Sequence, residues 1–150
     1  MAQAVEAIVT DKFREKLAKI YAGDLSFSLP AEFKIGEGGW TDPGSGKEPV
    51  PPDPTLLALT AGTGSYVSPS DFIFTKALTG ADLTFTAPAR LEIVCSVTSG
   101  EANDDGNGNP PEFFELGIFD GAGDMLVYST FPIEIKTVSR SLEHTIFIDF

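Results

Sequence analysis

The chain has 150 residues, 22 acidic and 10 basic, for a formal charge of −12. Phosphate backbones and anionic bilayers are both held by clustered cations, so neither nucleic acid nor a membrane is an expected partner of so acidic a surface. With 42% hydrophobic and 21% charged residues the mix is that of an ordinary globular chain, and one domain over 1–150 is expected at this length.

Met1 to Val9 lacks the cationic start and long apolar core of a secretory signal. No apolar run approaches the roughly 20 residues that a membrane helix needs. A lone cysteine, Cys95, leaves no intrachain disulfide and suits a reducing compartment such as a cytoplasm.

A short helix is predicted over about 10–22. Thr10 can cap it, Asp11 suits its positive end, and Phe13, Leu17, Ile20 and Tyr21 form one apolar stripe. Lys12, Arg14, Lys16 and Lys19 occupy the other faces, Glu15 can pair with Lys19, and Gly23 is placed to end the helix.

Strand and turn signals dominate beyond Gly23. Leu25, Phe27 and Leu29 alternate with serines up to Pro30, and Phe33–Ile35 leads into Gly36-Glu37-Gly38-Gly39, where positive φ and a tight reversal are invited. The Pro/Gly-rich stretch of about 40–60 carries Pro43, Pro49, Pro51, Pro52 and Pro54, too many missing donors for a central strand. Alternation returns at Asp71–Thr75, Leu83–Phe85 and Leu91–Val97, the last with Leu91, Ile93, Cys95 and Val97 on one face.

After a polar loop, Ser99 to Pro111, the apolar runs 112–119 and 125–128 flank Asp120–Asp124, a hairpin signal. Short strands are expected at Ile133–Lys136 and from Leu142 to Phe150, the latter with Leu142, His144, Ile146, Ile148 and Phe150 on one face. An apolar terminus of this kind must dock in the sheet or against a partner. The expected architecture is mainly β: an antiparallel β-sandwich of about eight strands with one short N-terminal α-helix.

Residues able to support chemistry are few. His144, the one histidine, lies mid-strand with no triad partner at a recognisable spacing, and Cys95 has no second ligand nearby; both read as structural. Gly44-Ser45-Gly46-Lys47 fails as a phosphate loop because Thr41 and Glu48 stand where glycine and a hydroxyl are required. Asn103, Asp105 and Asn107 loosely match the first ligands of a calcium loop, but Phe114 holds the twelfth position and Pro110 and Pro111 interrupt it; they are weak metal candidates in what reads as a turn. No catalytic residue and no cofactor are expected.

The order of segments resembles the N-terminal, baseplate-attachment domain of the phage tail-collar fibre proteins. The resemblance rests on Thr10, Phe13, Leu17 and Ala18 in the helix, Ile35 to Gly39, Pro54-Thr55-Leu56-Leu57, Phe114 to Asp120, Gly123, Leu126-Val127-Tyr128 and Phe131-Pro132. It implies a structural, non-enzymatic component of a phage or phage-like contractile tail, made in a bacterial cytoplasm and resident in the virion tail. Its partners would be baseplate and fibre subunits. In that family the domain precedes a fibre shaft, whereas this sequence stops at Phe150, so a stand-alone collar or adaptor subunit is expected. Twelve phenylalanines add the expectation of a homo-oligomer, with a trimer one candidate. Phe13, Leu17, Trp40 and Phe150 are the candidate partner contacts. The alternative is a carbohydrate-binding β-sandwich using Trp40 and the Asn103–Asn109 loop, with calcium assistance.

Overall fold

A computed structural model describes residues 2–3, 6–24, 26–61 and 72–150. In chain order these form β1 (Ala2–Gln3), β2 (Glu6–Val9), α1 (Asp11–Tyr21), β3 (Pro30–Gly36), β4 (Trp40–Thr41), β5 (Glu48–Pro49), β6 (Ile73–Ala77), β7 (Leu83–Thr86), β8 (Arg90–Val97), β9 (Glu112–Asp120), β10 (Met125–Ile135) and β11 (Leu142–Asp149). The fold is mainly β, as expected. A five-stranded antiparallel sheet, β2-β10-β9-β3-β6, packs on a four-stranded sheet, β1-β11-β8-β7, in which β1 is parallel to β11. Among the described residues no helix is long and apolar enough to cross a membrane.

The core lies between the sheets. Phe33, Ile35, Leu116, Ile118 and Phe131 of one meet Ile93, Cys95, Val97, Leu142, Ile146 and Ile148 of the other. β8 and β11 show the alternation their sequences predict: Ile93, Cys95 and Val97 are buried in β8, with Leu91 half-buried, and Leu142, His144, Ile146 and Ile148 are buried in β11. β9 is buried on both faces because the strap 50–61 crosses its outer side, where Leu59 joins Phe119, Met125 and Tyr128 in a second cluster. Gly117 has no side chain for this reason: a Cβ there would come within 2.9 Å of Met125 Sδ.

α1 begins where Thr10 predicts, its Oγ1 accepting from Phe13 N at 3.1 Å. It ends in a Schellman turn, with Gly23 N donating to Ile20 O and Asp24 N to Lys19 O, and Gly23 at φ +99°. Glu15 and Lys19 pair at 2.7 Å. Tyr21, however, is 91% exposed and leaves the apolar stripe.

Three strand expectations need correction. Residues 26–29 form no strand: Ser26 N and Oγ turn back onto Asp24 Oδ1, and Phe27 and Leu29 stay exposed beside α1. The separate runs at 125–128 and 133–136 are one strand, β10, whose register slips between Thr130 and Glu134; Pro132, lacking an N–H, sits in that irregularity. β1 and β2, unread from the sequence, add edges to both sheets. Leu25 and Asp71 lie outside the described residues.

Candidate functional site

The helix is pinned to the sandwich at two points. Thr10 N donates to Leu126 O at 2.9 Å and Thr10 Oγ1 to Met125 O at 2.6 Å, which fixes the N-terminus on β10. Six residues on, Lys16 bridges Asp120 and Asp124 at the β9–β10 hairpin. Partial burial disfavours the Lys16 charge, but hydrogen bonds to the two aspartates outweigh it and raise its pKa; Asp120, whose burial acts the other way, is held below the usual carboxylate range by Lys16 and by the N–H groups of Asp124 and Ala122.

Held in this way, α1 walls an apolar groove of about 160 Å³. Phe13, Leu17 and Ile20 of α1 line it together with Phe27 and Leu29 from the segment before β3, Leu91 of β8, Leu126 of β10 and Phe150. Phe13 and Phe150 meet ring to ring at 6.2 Å. Phe27 is 55%, Leu29 67% and Phe150 63% exposed, so the groove opens to solvent through large apolar side chains. Three of the four candidate contacts therefore converge. Sequence reasoning missed Ile20, Phe27 and Leu29 as lining residues; the hint was a Phe-Ser-Leu run halted by Pro30 with no partner strand in sight.

Trp40, the fourth candidate, is elsewhere. Its indole N–H donates to Glu37 O at 2.8 Å, its ring lies 6.1 Å from Phe114, and Lys47 Nζ sits 4.7 Å over it. It anchors the β4–β5 hairpin to β9. Nearby, Glu37, Lys47, Asp105, Asn109, Pro110, Glu112 and Ile135 line a polar cleft of about 440 Å³, with Lys47 and Glu112 paired at 3.0 Å.

The weak metal candidates are drawn to other tasks. Asn103 Oδ1 accepts from the buried ammonium of Lys136 at 2.6 Å, beside Thr137 O at 2.9 Å. Asp105 Oδ1 accepts from the N–H groups of Asn107 and Asn109, while Asn107 is exposed. Among the described residues no three His, Cys, Asp or Glu side chains are grouped as metal ligands. Burial lowers the Lys136 pKa, partly offset by Glu101.

The glycine run and the β9 motif meet at a buried carboxylate. Glu115 Oε2 accepts from Thr60 N, Thr60 Oγ1 and Tyr128 Oη at 3.0, 2.9 and 2.7 Å, and Oε1 from Ala61 N at 2.8 Å. Gly38 runs so close that a Cβ would lie 2.4 Å from Ala61 N and 2.6 Å from Glu115 Oε1. Gly39, at φ +82°, turns the chain away, and its N–H donates to Thr60 Oγ1. This clamp fastens the strap over β9.

Compared with family models, with curated proteins and with solved structures, the chain matches none. Two remaining groups lie in the core and line neither cavity. His144 Nε2 is 2.9 Å from Glu134 Oε1, both buried, and its ring rests 4.4 Å from that of Phe131. Cys95 is buried, and desolvation, with some help from Asp82, pushes its thiol pKa up and away from reactivity.

Proposed function

We propose that the chain is a structural component of a phage or phage-like contractile tail, a collar or adaptor subunit linking baseplate to tail fibre. The apolar groove along α1 supports the reading: aromatic and aliphatic side chains surround a solvent-open pocket, the arrangement that anchors protein–protein contacts. The role needs no catalytic residue and no cofactor. Partner side chains would enter this groove, while the acidic remainder of the surface keeps the chain soluble.

The test is recovery of the tagged chain with assembled particles, followed by electron microscopy to place it. Leu17→Asp and Phe27→Ser should abolish co-recovery while circular dichroism stays that of a β protein. Undiminished co-recovery of both variants, or recovery with no tail protein at all, would sink the reading.

A carbohydrate-binding role is favoured by one observation: Lys47, next to Trp40, and Asp105 and Asn109 of the 103–109 loop line the same cleft. Trp40→Ala separates the two readings. Loss of glycan binding with intact particle recovery would support the cleft.

A further inference from the structure

Among the described residues, the β11 edge of the four-stranded sheet is covered only at one end. β1 pairs with β11 at Glu143 and His144, and among the described residues no other strand lies on that side of β11. On the opposite side, Phe150 N donates to Ala89 O, just before β8. Backbone polar groups alternate in direction along a strand, so those of Phe147 and Asp149 point outward from the uncovered edge. Such groups are a template for another strand.

The open stretch is complementary to itself. Thr145-Ile146-Phe147-Ile148-Asp149 reads polar, isoleucine, phenylalanine, isoleucine, polar, symmetric about Phe147. Laid antiparallel on a second copy, it sets Phe147 opposite Phe147, Ile146 opposite Ile148, and Thr145 opposite Asp149; the same register sets Phe150 opposite His144, so Gln3 at the end of β1 must give way there. No acid then faces an acid directly, which matters in a chain of charge −12. Arg90 reinforces this: its guanidinium pairs with Asp149 at 2.7 Å and lies 4.9 Å from the centre of the Phe147 ring. Phe147 is 52% exposed, an aromatic on the outer face of the sheet.

We propose that two copies of this chain associate through the open edge of β11, joining their four-stranded sheets into one continuous sheet across a twofold axis at Phe147. The contact is isologous and closes on itself. It does not depend on the tail-adaptor reading and is tested without any tail protein.

The full chain is used throughout. On mild oxidation Phe147→Cys should form a disulfide-linked dimer, because a hydrogen-bonded antiparallel pair holds the two Cα atoms about 5.5 Å apart, within disulfide reach. Thr145→Cys should not link to itself but should link to Asp149→Cys when the two variants are mixed. Val138→Cys, at a 74% exposed position, gives the background rate, and the buried Cys95 does not compete. Sedimentation of the unsubstituted chain should show a concentration-dependent dimer. Phe147→Lys, which places two cations face to face, should weaken that dimer roughly tenfold or more without changing the circular dichroism. A monomer at millimolar concentration, a Phe147→Cys rate equal to that of Val138→Cys, or an unchanged dimer in Phe147→Lys would each overturn the proposal.

Discussion

Replacing Glu115 with glutamine tests whether the strap is held by a carboxylate clamp. The side chain is fully buried and accepts four hydrogen bonds, three at Oε2 and one at Oε1. A glutamine can place its carbonyl oxygen where three donors converge, but its NH₂ must then face Ala61 N–H, donor against donor. One buried donor left without an acceptor costs about 1–3 kcal/mol. The three remaining bonds also lose their charge assistance, which roughly doubles a hydrogen bond. Together the loss is about 3 kcal/mol, and at about 2–4 °C per kcal/mol for a domain of this size it lowers Tm by about 6–12 °C. Calorimetry reads the total, and hydrogen exchange reads its location: the Thr60 and Ala61 amides should lose protection before those of β8 and β11. A Tm within about 2 °C of the parent chain, with Ala61 still protected, would refute the clamp.

Three further outcomes follow from the same contacts. Gly38→Ala forces a Cβ to 2.4 Å from the Ala61 backbone nitrogen, which cannot swing away as a side chain could, so denaturant titration should show a loss of about 2–3 kcal/mol. Asp120→Asn leaves the Lys16 ammonium short of a buried anion and should cost about 2–4 kcal/mol, with α1 amides exchanging faster than those of β10. Acid should weaken the chain in part through Glu101, whose pKa lies at about 2 instead of 4.5, first because Lys76 and Thr98 side chains hydrogen-bond its carboxylate. The folded form binds fewer protons than the unfolded form across that window, so stability is present above pH 4.5 and is lost as pH falls toward 2. The pair is partly exposed and screened, so the loss is about 1 kcal/mol, and urea midpoints measured against pH should show it shrink in Lys76→Met.

Local signals were legible in the sequence and tertiary ones were not. Thr10, Gly23 and the stripe of Phe13, Leu17 and Ile20 locate α1 because capping and periodicity are properties of one segment. Alternation in β8 and β11 predicts which residues are buried, since one face of each meets the opposite sheet. β9 breaks that logic: Glu115 is an acid buried within a strand, and its donors come from the strap 55 residues away. Phe27 and Leu29 fail in the other direction. Their alternation is that of a strand, but Asp24 captures Ser26, and residues 26–29 are not built into a strand. The groove was half visible, as Phe13, Leu17 and Phe150, because apolar residues at a helix face and a chain end demand cover. Trp40 shared that demand and met it internally, on Phe114 and under Lys47.

The groove and the open edge are linked through β11, which leads to a test of both. Phe147 sits at the proposed twofold axis and Phe150 lines the groove only three residues on, a separation of roughly 10 Å along an extended strand. A dimer joined at Phe147 would therefore carry its two grooves near the axis, where one repeating partner could engage both. Binding of such a partner gains from effective concentration without any new contact. Phe147→Lys should then lower the avidity for an assembled, multivalent partner while leaving the affinity for a single immobilised partner subunit unchanged. Leu17→Asp should reduce both. Equal losses in the two formats for Phe147→Lys would mean that residue 147 touches the partner directly, and the edge would belong to a heterologous contact instead of a twofold one.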